Sequence, residues 1–509
     1  MKRLLCLSLC LLAGCQSTSP VNELARAYPA VDSLKTLKDA PPLGRQLDIQ
    51  RWRTAEGAQV LFVPAPELPM FDVRLIFAAG SSQDGATPGL AMLTNGLLNE
   101  GTPGRDASAI ADSFERLGAD FSNGAYRDQA VAGLRTLADP AISEPALALL
   151  ADVVGRPTFP AEAIQRIRDQ LLTLIAASRR EPASLAGDAL QERLYGQHPY
   201  AHSPRGTAAG LARIDAATLQ AFHARAYAAG NAVIAITGDL DRTRAERIAA
   251  QLSRALPRGP ALPPLPPPTP AAPARVQLEV PAQQTRLLLG QLGITRSDPD
   301  YAALFVGNQI LGGGGFGSRL MTELRERRGL TYGVSSGFTP MRQPGPFTIG
   351  LQTRAELGDA TLALVRELLR DYLAQGPTQA ELDRAKRQIE GSFPLANASN
   401  GAIVAQLGNI GFLRPAQQLP GRLPPAGPQP DGRPGPQRPA APPGPNAVRR
   451  GQRRPAGRAA AAAATSPSFH PAAPRHSGAL AWPRRPPTNC ASSVETGAAG
   501  ASSFPMRWV

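Results

Sequence analysis

Apolar and polar residues along this chain repeat a pattern twice. Arg74-Leu75-Ile76-Phe77 reads as a strand and leads through a loop to a helix starting at Ala91. Arg286-Leu287-Leu288-Leu289 leads in the same way to a helix starting at Ala303. One offset, 212 residues, relates both pairs without a gap. Gly133-Leu134-Arg135-Thr136 and Gly350-Leu351-Gln352-Thr353 each close a further strand. Each precedes an apolar-periodic helix, over 144–154 and 359–373, then a proline (Pro160, Pro377) and a second, charged helix. The first half ends with a helix over 216–228 and a strand over 231–237. A unit near two hundred residues is too long for a solenoid repeat. The pattern predicts an α+β fold of two homologous domains, each an antiparallel-rich sheet covered by helices. The second half shows no counterpart of the 231–237 strand before its patterning ends, so its helices are expected to keep uncovered apolar faces.

Composition sets the boundaries. Residues 1–15 read as a leader: Lys2 and Arg3, a short apolar run over 4–12, then Leu12-Ala13-Gly14-Cys15. The run is too short to span a bilayer, and Cys15 is expected to carry lipid. Residues 16–42 form a tether, 43–257 the first domain and 275–412 the second. A proline-rich linker over 258–274 joins them, extended and unsuited to a core. Residues 413–509 are a Pro/Ala/Arg-rich tail, expected to be disordered. Its thirteen Arg against two acids, Asp431 and Glu495, hold +11 of the net +14, so the rest of the chain carries only +3. A basic arm of this kind suits nucleic acid, but no aromatics interleave for stacking, and no nucleic-acid partner is expected. The change at residue 413 also has the look of a frameshift. Cys6 and Cys10 lie in the leader and Cys490 in the tail, so no disulfide framework or cysteine zinc site is expected in the body.

Residues 311–334, LGGGGFGSRLMTELRERRGLTYGV, concentrate the candidate chemistry. Four consecutive glycines cannot sustain a helix and suit close approach to another chain. Ser318 is placed to cap a helix carrying Leu320, Met321 and Leu324, with Gly329 ending it and Thr331, Tyr332 and Val334 opening a strand. Gly312, Gly314 and Gly317 satisfy GxGxxG, but no strand precedes them and no GK[ST] follows, so a nucleotide site is not expected.

This segment resembles the second half of the pitrilysin/insulinase metallopeptidases, which include the mitochondrial processing peptidase. The resemblance spans residues 43–412 and implies one half of a clamshell. It implies that Arg325 and Tyr332 hold substrate backbone, with Gly313, Gly314 and Gly315 admitting an extended peptide. In active members an early helix carries HxxEH: two histidines bind zinc and the glutamate activates water. Here residues 89–102, GLAMLTNGLLNEGT, lie on that frame without a gap. Met92, Asn95 and Gly96 fall where the two histidines and the glutamate would be, and Leu174 where the third ligand would be. Thioether, amide, hydrogen and alkyl groups cannot do that work. The remaining body histidines, His198, His202 and His223, form no ligand set, since Pro199 breaks the helical spacing of the first two. Glu100 reads as a solvated charge.

The resemblance implies no catalytic residue, metal or cofactor in this chain. It implies a substrate-binding subunit that pairs with a zinc-binding homologous peptidase and receives short unfolded peptides. Cys15 would anchor it by lipid in the periplasm, at the outer membrane. A non-enzymatic peptide-binding or assembly lipoprotein is the alternative, and a damaged gene product a third.

Overall fold

The computed structural model describes residues 47–413. The leader with Cys15, the tether and residues 414–509 lie outside that span.

The first sheet uses β1 (Gln50–Arg53), β2 (Gln59–Pro64) and β3 (Met70–Phe77), then β6 (Asp120–Ala125), β7 (Ala130–Leu137) and β8 (Ala232–Gly238). A small ribbon of β4 (Gly101–Thr102) and β5 (Arg105–Asp106) stands apart. The order is β1-β2-β8-β3-β7-β6. β8 runs parallel to β2 and antiparallel to β3, and all seven of its residues, AVIAITG, are buried. A β-branched, uncharged strand fits this central place, where both faces are covered. Helices Pro140–Gly155, Ala161–Ser178, Ala216–Ala226 and Arg242–Ala255 contribute to the core on one face.

The other face is covered from the far end of the sequence. Helix Asn400–Leu413 sets Ile403, Val404 and Leu407 against Leu61, Val63, Ile76 and Val233. Each such side chain contributes about 1.5–3 kcal/mol when fully buried. Gly408 and Gly411 permit the approach, because a Cβ on either would lie 2.8 Å from Ile76 Cδ1 or 2.6 Å from Val233 Cγ1. For this helix the expectation of uncovered apolar faces in the second half does not hold, since it spends its apolar side on the first half's sheet; helix Gln379–Ala396 buries only Ala385 and leaves Leu395 69% exposed.

The second sheet has three antiparallel strands in the order β10-β11-β9. They are β9 (Gln284–Leu292), β10 (Val334–Phe338) and β11 (Pro346–Arg354). The offset that relates Arg74 to Arg286 maps β3 onto β9, and β11 pairs with β9 as β7 does with β3. Helix Pro182–Tyr195 returns the exchange, placing Leu185 and Ala186 with Leu288 and setting Leu190 against Gly290. The two halves thus trade one helix each.

The linker is more anchored than its composition suggests. Leu262 packs on the first core and Leu265 beside Tyr195 and Tyr200, which corrects the view that this segment suits no core. Gln343 Nε2 donates to Leu265 O at 2.5 Å, and His198 Nε2 lies 2.8 Å from Pro266 O. Among the described residues no helix is long and apolar enough to cross a membrane.

Candidate functional site

Helix Leu90–Gly96 starts where Asp84 accepts from Gly89 N at 2.7 Å and Ala91 N at 2.8 Å, which satisfies amides that a helix start leaves open. Asn95 is 2% exposed. Its Nδ2 donates to Val131 O at 3.1 Å and to the Tyr227 hydroxyl at 3.2 Å, while its backbone carbonyl accepts from Asn123 Nδ2 at 2.7 Å. Burial pushes the Tyr227 phenol well above its ordinary range, so it stays protonated. Met92 is half-buried against the core, and a Cβ on Gly96 would meet Ile167 Cγ2 at 3.4 Å. Leu174 is 55% exposed. The donor set does not fit zinc. Both polar residues of this helix, Thr94 and Asn95, donate to groups of the fold itself.

The histidines are occupied too. His198 Nδ1 accepts from Tyr200 N at 3.1 Å, which leaves Nε2 to donate to the linker. His202 Nε2 lies 3.0 Å from Ser81 O. His223 Nε2 sits 2.8 Å from Val154 O, and burial lowers its pKa. Among the described residues no three His, Cys, Asp or Glu gather as a metal site. Glu100 is ion-paired with Arg166 rather than solvated, a correction that its near-complete burial explains.

The second candidate segment presents its chemistry outward. The expected helix from Ser318 is broken: residues Arg319–Met321 make one turn, then Thr322–Glu326 widen so that Arg327 N bonds Thr322 O, five residues back. Ser318 stands at the start with extended backbone, yet its hydroxyl donates to Gly315 O at 2.7 Å instead of capping. Thr331 and Tyr332 precede β10 rather than opening it. The Thr331 hydroxyl bridges to Gly333, which turns the Tyr332 ring into solvent.

The glycines divide by role. A Cβ on Gly312, Gly313 or Gly314 would lie within 2.5 Å of Ser336 Oγ, Asn308 Nδ2 or Gln309 O respectively. These three therefore serve close packing within this chain, not approach by another. Gly315, at φ +65°, is exposed and turns the loop. Arg319 anchors the base with two bonds to Glu381, 2.6 and 2.7 Å, and these hold the Glu381 carboxyl down at about 2.

The loop delivers a residue that the pattern did not single out. Phe316, 63% exposed, sits with the Arg325 guanidinium 4.5 Å from its ring centre, and the same guanidinium lies 4.9 Å from the Tyr332 ring, itself 89% exposed. Arg325 and Tyr332 are thus brought together, and Phe316 with them. A large apolar residue inside a glycine run was the available signal. Glu323 pairs with Arg327 and Arg328, and no carboxylate partners Arg325 among the described residues. Its donors remain available for a carbonyl or carboxylate.

The turn at His198-Pro199-Tyr200 serves as a joint between the halves. Arg127 Nη1 donates to the carbonyls of Tyr200 and His202, Asp128 accepts from Arg342 N at 2.7 Å, and the Tyr200 hydroxyl accepts from Gln343 N at 3.2 Å.

Known proteins share this arrangement. The family model described as Insulinase (Peptidase family M16) matches residues 60–208, and that described as Peptidase M16 inactive domain matches residues 213–389. A solved structure of a peptidase M16 inactive domain from Pseudomonas fluorescens is 58% identical, with TM-score 0.69 over 74% of this chain and 89% of that one. The non-peptidase homolog YmxG of Helicobacter pylori is 28% identical over 335 residues, 65% of this chain and 76% of the relative. An uncharacterized zinc protease of Mycobacterium leprae is 27% identical over 370 residues, 72% of this chain and 82% of the relative. Identity to a named non-peptidase and to a named protease is nearly equal, so the decision on chemistry falls to the site residues.

Proposed function

Since the chain belongs to the insulinase (M16) peptidase family, we propose that it is a non-catalytic member that grips unfolded peptide and does not cut it. The observation that carries this reading is Asn95. The position that would hold the water-activating carboxylate instead holds an amide, bonded into the core and flanked by Met92 and Gly96. Arg325, held between two exposed rings, keeps its hydrogen-bond donors for a ligand. Arg325 would bind substrate carbonyls or a carboxylate, and Tyr332 would add a hydrogen bond. The chain would act as the substrate-binding subunit of a heterodimer whose partner carries HxxEH and zinc, anchored by lipid at Cys15 at the periplasmic face of the outer membrane.

Purified protein is expected to hold no stoichiometric zinc by metal analysis and to hydrolyse no peptide alone. Mixed with an HxxEH-bearing homologue it should support hydrolysis, and Arg325→Ala should remove that support. Hydrolysis by the solitary chain would sink the proposal. The alternative, a peptide-binding lipoprotein acting without a catalytic partner, draws on the exposure of Phe316 and Tyr332, which needs no second subunit. Peptide binding by the lone chain, with no gain from any HxxEH homologue, would select it.

A further inference from the structure

The segment that carries Arg325 has little backbone to offer a ligand. Gly314 N donates to Gln309 O at 3.0 Å, and Gly314 O accepts from Gln388 Nε2 at 3.0 Å. Gly315 O accepts from both the amide and the hydroxyl of Ser318. On the far side the Thr331 hydroxyl donates to the carbonyl of Gly333 and accepts from its amide. A peptide laid along this loop would find these bonds already made, so an added strand does not suit it. What it presents is side chain: the Arg325 guanidinium and the rings of Phe316 and Tyr332.

The charge around that guanidinium is positive. Residues 316–332 hold four arginines and two glutamates. Glu323 already serves Arg327 and Arg328, and Glu381 serves Arg319. Arg384, exposed on helix Gln379–Ala396, brings its stem beside Gly317 and adds a further cation. The two rings flank Arg325 and leave its edge, a planar fork of N–H donors, for a ligand. A lone carbonyl accepts from that fork without returning any charge. A carboxylate accepts two parallel bonds and neutralises the cation, and such charge-assisted bonds are roughly twice as strong as neutral ones. We propose that the group this grip reads is a peptide carboxylate, with an apolar side chain beside it resting on Phe316. The inference rests on the reading of Arg325 as a ligand-binding residue and narrows the ligand from any unfolded peptide to an anionic one.

Calorimetric titration of the full chain with three short synthetic peptides tests it. All end in phenylalanine: one has a free terminal carboxylate, one is amidated and holds no carboxylate, and one is amidated with a single glutamate next to the phenylalanine. The free acid should bind about tenfold or more tighter than the neutral amide. Affinity restored by the glutamate shows that a side-chain carboxylate serves as well as a terminal one, and affinity not restored assigns the grip to the chain end. Both results uphold the proposal. Arg325→Lys keeps the charge and loses the fork, so it should give up most of the free acid's advantage. Equal binding of free acid and neutral amide overturns the proposal, and if both then weaken in Arg325→Ala the grip itself stands as one for carbonyls. An advantage of the acid that survives Arg325→Ala belongs to other basic groups of the chain and overturns it equally. If Arg325→Ala changes the binding of no peptide, the ligand-binding reading of Arg325 falls and takes this inference with it.

Discussion

Helix Leu90–Gly96 in the first half and residues 316–332 in the second carry the two candidate sites, and they use polar groups in opposite ways. Asn95 directs its amide inward, where a strand carbonyl and a buried phenol accept from it. Arg325 directs its guanidinium outward, held by two rings and by no carboxylate among the described residues. A polar group with every bond satisfied by the fold works for stability. One held in place with its donors available works for a ligand. The distinction rests on hydrogen-bond partners and exposure, and it can be broken experimentally.

The largest effect is expected at Asn95. Asn95→Leu leaves the Val131 carbonyl and the Tyr227 hydroxyl buried with fewer partners, at about 1–3 kcal/mol for each unsatisfied group. Urea unfolding should show that loss, and an unchanged midpoint would mean that Asn95 is not the structural amide described. Arg325→Ala should reverse the pattern, weakening peptide binding about tenfold or more while stability stays within about 0.5 kcal/mol. Calorimetric titration and a melt on the same sample measure both. Phe316→Ala comes next, with affinity falling about two- to fivefold, the worth of about 0.5–1 kcal/mol for an exposed cation–π contact. Phe316→Trp should keep the affinity, and a loss as large as that of the alanine variant would deny the ring its role.

The smallest effect is expected from acid. The Glu381 carboxyl is held down at about 2 by Arg319, so its stabilisation is fully present above its ordinary value near 4.5 and is lost as pH falls through 2. Between those limits the wild type should lose stability with falling pH more steeply than Glu381→Gln. Identical slopes would remove the Arg319–Glu381 pair as the loop's anchor.

Much of the fold was legible in the sequence, and the reasons are physical. The helix expected over 144–154 is Pro140–Gly155, that over 359–373 is Gly358–Gln375, and the strand over 231–237 is Ala232–Gly238. Long apolar periods of one kind leave little freedom in their interpretation. The exchange of helices Pro182–Tyr195 and Asn400–Leu413 was not legible, because an apolar face does not say which sheet will cover it. Nor were the wide turns at Gln309–Gly313 and Thr322–Glu326, since side-chain spacing barely separates a bond four residues back from one five back. At the site, the pairing of Arg325 with Tyr332 follows from the motif. The place of Phe316 depends on a glycine turn that only coordinates reveal.

Because each half lends the other a helix, the linker over 258–274 is not what holds them together. A cut there would leave two pieces still interlocked, like clasped hands after a rope between the wrists is severed. Neither piece could complete its own interior, so the halves should be born, melt and be degraded as one body.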